Sequence, residues 1–175
     1  MKKIMFNDKF LLTKAVLNGT KTMTRRLLKE GTPLGNWEET AKCLPYKVGD
    51  IVAIAQPYKD IIECMAEYSD IIINVDGSIN REYKAGWTNK MFVKANLLSH
   101  HIKITDVRVE RLQDITEEEC LKEGVWQFYD NKNLFYVSKN IGYAPGVAFL
   151  SVREAFWYLI DKICGKGTWE RNPWV

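Results

Sequence analysis

Apolar residues take up a helical rhythm close to the N-terminus. From about Asp8 to Asn18, Phe10, Leu11, Ala15 and either Val16 or Leu17 supply one buried side. Asn7 or Asp8 can accept the first free N–H groups, and Gly19 fits a left-handed exit. The segment TKTMTRRLL then alternates through Thr22, Thr24 and Arg26, which predicts extended chain. Residues 29–46 hold Gly, Pro and Asn without a period and are expected to form a long loop. In KVGDIVAIAQ, a turn at Gly49-Asp50 leads into a buried strand from Ile51 to Ala55. IIECMAEY and IIINVDGSINREYKA predict further strands, with Asp76-Gly77 the strongest hairpin signal in the chain.

The alternation resumes in HIKITDVRVERL, where Ile102, Ile104, Val107 and Val109 predict one long strand from His101 to Leu112, bent or bulged near Asp106. Two helices with distinct starts follow. Thr116 and Glu119 are spaced as a capping box for a short helix that runs to Glu123 and stops at Gly124. Ser151 and Glu154 are spaced as a second, with Val152, Ala155, Phe156, Leu159, Ile160 and Ile163 facing inward and Gly165 as terminator. Between them, Trp126 to Phe149 is irregular and aromatic. Few helices and several strands, unevenly mixed, predict an α+β fold around a small barrel. At 175 residues the chain suits one domain.

Composition changes this picture little. With 46% hydrophobic and 27% charged residues, the chain reads as an ordinary globular protein. A net charge of +3 permits nucleic acid as a partner without demanding it. Cysteines stand at 43, 64, 120 and 164 without a CxxC pair, so no metal site is expected, and all four read as small buried hydrophobes. No segment suits a signal peptide or a bilayer span, and with unpaired cysteines this points to a reducing cytoplasm. No membrane partner and no cofactor is expected.

Four stretches, in order, carry a family resemblance. NGTKTMTRR (residues 18–26) resembles the Gly-x-Lys-Thr-x-Thr-Arg-Arg signature of ASCH domains. KVGDIVAI resembles the Gly-Asp turn that enters a barrel strand, and ITDVRVERLQDITEEECLKEGV the strand and helix of phage and prophage members. GKGTWERNPWV resembles their Trp-x-x-Asn-Pro-Trp-Val ending, beyond which relatives continue through a further strand. Residues 27–46 and 57–86 stand as variable insertions, and Gln56, Pro57 and Tyr58 replace a charged pair of the family. The resemblance implies a PUA-like β-barrel with flanking helices and a cleft for RNA or a nucleoside. One bacterial branch hydrolyses the acetyl amide of N4-acetylcytidine with a Lys, a Thr and a Glu. Carried over by motif, these fall on Lys21, Thr24 and Glu123.

Amide hydrolysis needs a nucleophile, a proton acceptor and donors for the oxyanion. Thr24 could attack or hold a water; Lys21 could accept its proton only as a neutral amine, which burial and the neighbouring Arg25 and Arg26 would favour. An ionised Glu123 beside Lys21 would oppose that, so Glu123 is expected to orient substrate or water, or to shuttle a proton, rather than form a tight pair with Lys21. Residues three apart on a strand face opposite sides, so Lys21 and Thr24 can converge only if Lys21 lies in the turn after Gly19. By spacing alone the same residues suit a solvated turn and an edge strand.

Interleaved bases and aromatics suggest RNA, another single-stranded nucleic acid or a free modified nucleoside as partner. The candidates for binding are Arg25, Arg26, Lys94 and Trp87, with Lys29, Lys84, Lys90, His100, His101, Lys166 and Arg171 adding charge. Trp157, Trp169 and Trp174 are as readily core residues. The reading of a different class is a noncatalytic phage or prophage accessory protein that acts through protein–protein contact.

Overall fold

A computed structural model describes residues 1–61, 85–129, 131–137 and 147–175. The chain is α+β and divides into two compact units, Met1–Phe6 with Val48–Thr105 and Asn7–Lys47 with Asp106–Val175. In chain order its elements are β1 (Lys2–Ile4), α1 (Leu12–Leu17), α2 (Trp37–Cys43), β2 (Ile51–Ile54), α3 (Tyr58–Ile61), β3 (His101–Lys103), α4 (Glu117–Lys122), β4 (Trp126–Gln127), β5 (Phe135–Tyr136), α5 (Val152–Cys164) and α6 (Thr168–Arg171).

The first unit is built on a three-stranded sheet of order β1-β2-β3, in which β2 runs parallel to β1 and antiparallel to β3. The apolar run Val52-Ala53-Ile54-Ala55 is wholly buried, as a central strand requires. Ala53, Tyr58, Ile61, Val93 and Leu98 form its core, with Trp87 packed partly buried against it. Lys3 closes the unit by donating to the carbonyls of Met91 at 2.5 Å and Val93 at 2.6 Å. Strand β3 is far shorter than the His101–Leu112 strand expected from alternation. Its ladder ends at Lys103, and the bend expected near Asp106 coincides with the boundary between the two units. The Asp76-Gly77 hairpin and Cys64 lie outside the described residues.

In the second unit the opening helix is shorter than its pattern suggested. Asp8–Phe10 forms a 3-10 turn, Leu11 adopts a left-handed φ of 54°, and only then does α1 begin, burying Leu12 and Thr13 instead of Phe10 and Ala15. The exit matches expectation, with Gly19 at φ 72°. The segment from Lys21 to Leu28 joins no ladder, though burial alternates along it, with Lys21 buried and Thr22, Thr24 and Arg26 exposed. Residues 29–46 are not all loop. Asn36 accepts a hydrogen bond from the Glu38 N–H and starts α2, whose only buried residue is Thr40.

The capping box of α4 forms as expected: the Thr116 hydroxyl accepts from the Glu119 N–H and the Glu119 carboxylate from the Thr116 N–H. The corresponding box at Ser151 does not form, since its side chain makes no capping bond. Helix α5 nonetheless buries Val152, Ala155, Phe156, Leu159 and Ile160 and packs on α4 and α6, while Ile163 and Trp157 are exposed. Cys120 is buried but Cys43 is exposed, against the expectation of four buried thiols. The aromatic stretch after Trp126 contains the antiparallel pair β4–β5, with Trp126 stacked on Tyr136. Val175 pairs with Glu110 through both backbone groups. Among the described residues the strands close no barrel, and no helix is long and apolar enough to cross a membrane.

Candidate functional site: a buried Lys–Glu pair

The site lies within the second unit, where the chain leaves α1 and meets the end of α4. After Gly19, the N–H groups of Thr20 and Lys21 both return to the Ala15 carbonyl, which turns the chain sharply. The next two, Thr22 and Met23, both donate to the Lys122 carbonyl in the last turn of α4. Such carbonyls lack partners within their own helix. The doubled bond fixes the segment against the helix end and aims Lys21 at Glu123, the residue that caps α4.

Gly124 makes this approach possible. Its φ of 104° is strained for any side chain, and a Cβ there would lie 2.9 Å from Leu12 Cδ2 and 3.5 Å from Lys21 Cδ. The Lys21 stem and Leu12 fill the space that a side chain would need.

Lys21 is 4% exposed. Its amine donates to the Met23 carbonyl at 2.7 Å, to the Glu123 carbonyl at 2.6 Å and to Glu123 Oε2 at 2.6 Å. Three acceptors call for three N–H groups, so the geometry holds an ammonium. Burial is the strongest influence on this amine and lowers it from its ordinary value. Glu123 opposes that by charge and hydrogen bond, and Arg26 and Arg25 reinforce it. This corrects the expectation drawn from charge alone, because Glu123 and Lys21 form a tight buried pair. The expectation neglected the two backbone carbonyls, which favour an ammonium at the same spot.

Arg25 joins the pair to a wider network. Its guanidinium donates from Nη1 to Glu123 Oε1 at 3.4 Å and from Nη2 to Glu119 Oε2 at 2.8 Å and to Glu110. Arg108, half exposed, donates to Glu119 Oε1 at 2.8 Å. Burial alone would raise the Glu119 carboxyl, but the bond from Arg108, the Thr116 N–H and Arg25 outweigh it and hold the carboxyl down to about 2. Cys120, also on α4, is pushed up to about 11 by burial and is not a nucleophile at neutral pH.

The expected site residues therefore separate. Lys21 and Glu123 meet from positions 102 apart. Thr24 is exposed, whereas Lys21 is buried. Arg25 has its charge committed to three carboxylates, whereas Arg26 is exposed with its guanidinium 5.8 Å from the centre of the Tyr46 ring. Trp87 and Lys94 belong to the first unit, the Trp packed against that core and the Lys exposed. Glu110 and Arg108 were not anticipated at the site, and Glu119 only as the helix cap. The signal for them was the alternation of Arg108 and Glu110 before the acidic start of α4 at Glu117–Glu119. Among the described residues no group of three or more His, Cys, Asp or Glu side chains is placed to hold a metal ion.

Fold and site together define an α+β protein with a buried, networked Lys–Glu pair at a helix end. Comparison with family models, curated proteins and solved structures finds no match.

Proposed function

We propose that this chain is an ASCH-type domain of PUA-like architecture that binds a nucleic acid or a modified nucleoside beside the Lys21–Glu123 pair. The observation that supports the reading most is the meeting of those two side chains at 2.6 Å. The sequence resemblance implies one site for them, although they lie far apart in the chain. A nucleobase edge presents donors and acceptors of its own, so it engages the pair by replacing partners that the two side chains now hold. Arg26, exposed and adjacent, suits a phosphate or a base face. Affinity for a short single-stranded RNA, followed by fluorescence anisotropy, is expected to weaken with added salt and with Arg26→Ala. Absence of binding, or binding indifferent to both changes, removes the nucleic-acid form of the reading.

Hydrolysis of an N-acyl group, such as that of N4-acetylcytidine, is the second reading. It is favoured by the burial that lowers the proton affinity of Lys21. In it, a bound acyl amide separates the amine from Glu123, and the amine, once neutral, takes a proton from the attacking water and returns it to the leaving N4 nitrogen as the C–N bond breaks and acetate departs. Release of cytidine from N4-acetylcytidine by the wild type, and its loss in Lys21→Ala, is the expected outcome. No release, or equal release by the variant, ends this reading and leaves binding to be judged on its own assay.

A further inference from the structure

The Glu123 carboxylate has two oxygens and two cations, one to each. Lys21 takes Oε2 and Arg25 approaches Oε1. Arg25 is itself held off by Glu119 and Glu110, to which its other terminal nitrogen donates. Glu119 is fixed in turn by Arg108 and by the Thr116 N–H. The residues thus form an alternating chain of charge, Arg108–Glu119–Arg25–Glu123–Lys21, running from a half-exposed guanidinium to a buried amine.

We propose that Arg25 is a positioning residue, which divides the Glu123 carboxylate between two cations and so tunes how readily Lys21 gives up its proton. The proposal rests on the reading of Lys21 and Glu123 as the functional pair. Its logic is electrostatic. When Arg25 leans toward Glu123, less negative charge is left to stabilise the ammonium of Lys21. When Glu119 and Glu110 draw Arg25 away, Glu123 turns more of its charge on Lys21. The charged groups acting on the amine are Glu123 from the end of α4 and Arg25 and Arg26 from its own segment. The thiols nearby, Cys120 of α4 and Cys164 of α5, are both raised by burial.

The direction can be read without any ligand. The Lys21 amine is titrated by NMR of its ε-carbon in protein labelled at lysine, with an amide spectrum recorded for each variant to verify the fold. In Arg25→Gln, a neighbouring cation is lost, Glu123 is left to Lys21 alone and two carboxylates are unmasked. All three effects raise the Lys21 pKa, by about one unit or more. In Glu119→Gln, which keeps the capping box, Arg25 is released toward Glu123 and a negative charge is removed, so the Lys21 pKa falls. A residue that merely supported the fold would change the melting temperature and leave both titrations where they were. An unchanged or lowered value in Arg25→Gln overturns the proposal. If that variant does not fold, an unchanged or raised value in Glu119→Gln does the same. Because no nucleoside is present, failure here leaves the binding reading standing, and failure of the RNA or N4-acetylcytidine assays leaves the titration standing.

Discussion

Replacing Lys21 by Met removes the charge and the three hydrogen bonds while keeping most of the apolar stem that covers Gly124. The side chains of Lys21 and Glu123 are 2% and 5% exposed, so water cannot take over for either. Removing one member of such a pair strands the other, and the cost is about 3–5 kcal/mol. Two backbone carbonyls, of Met23 and Glu123, also lose their donor. Arg25 limits the loss, since its 3.4 Å approach leaves Glu123 one partial partner. The lower half of the range, about 3–4 kcal/mol, is therefore expected. The double variant Lys21→Met, Glu123→Met removes the stranded carboxylate, and Arg25 keeps Glu110 and Glu119. It should be more stable than Lys21→Met alone by at least about 1 kcal/mol. Urea unfolding followed by far-ultraviolet circular dichroism gives each value, provided the m-value is unchanged. A single variant within about 1 kcal/mol of wild type would refute the reasoning, as would a double variant that costs the sum of its parts.

Acid should weaken the fold through Glu119. Its folded value of about 2 lies below the ordinary carboxylate value, so its contribution is complete above about pH 4.5 and is lost as pH falls toward 2. The stability gap between wild type and Glu119→Gln should narrow over that window, and a constant gap would contradict the assignment. Gly124→Ala forces a side chain into a φ of 104° and against Leu12, so a loss of about 1–3 kcal/mol is expected by urea unfolding. Thr116→Ala removes one half of the capping box and should cost about 1 kcal/mol by the same measurement.

What was legible in the sequence was mostly local. The α4 capping box needs only Thr116, Glu119 and the backbone between them, so four residues suffice to specify it. Gly19 and Gly124 marked helix ends because a left-handed exit disfavours other residues there. Helix α2 escaped notice for a physical reason: with only Thr40 buried it has no apolar stripe, and its one signal is the Asn36 cap. The strand expected through Leu112 failed where alternation continued but the partner strand did not, since β2 pairs only as far as Lys103. Ser151 and Glu154 have the spacing of a capping box without its bonds, and α5 forms because its apolar face is buried.

The site was legible in half. Lys21 and Glu123 entered through motif resemblance, while charge reasoning set them apart because it omitted the carbonyls of Met23 and Glu123. Arg25 looked like a surface base in a Thr-Arg-Arg run. That three carboxylates from distant positions converge on it depends on tertiary placement, which no local pattern encodes.

The most direct test of the functional account is an amide NMR titration of the intact chain with cytidine and with N4-acetylcytidine. Shifts that saturate with ligand and concentrate at residues 20–26 and 122–124 are expected. Saturating shifts confined to other parts of the chain, or none with either nucleoside up to millimolar concentrations, would contradict it.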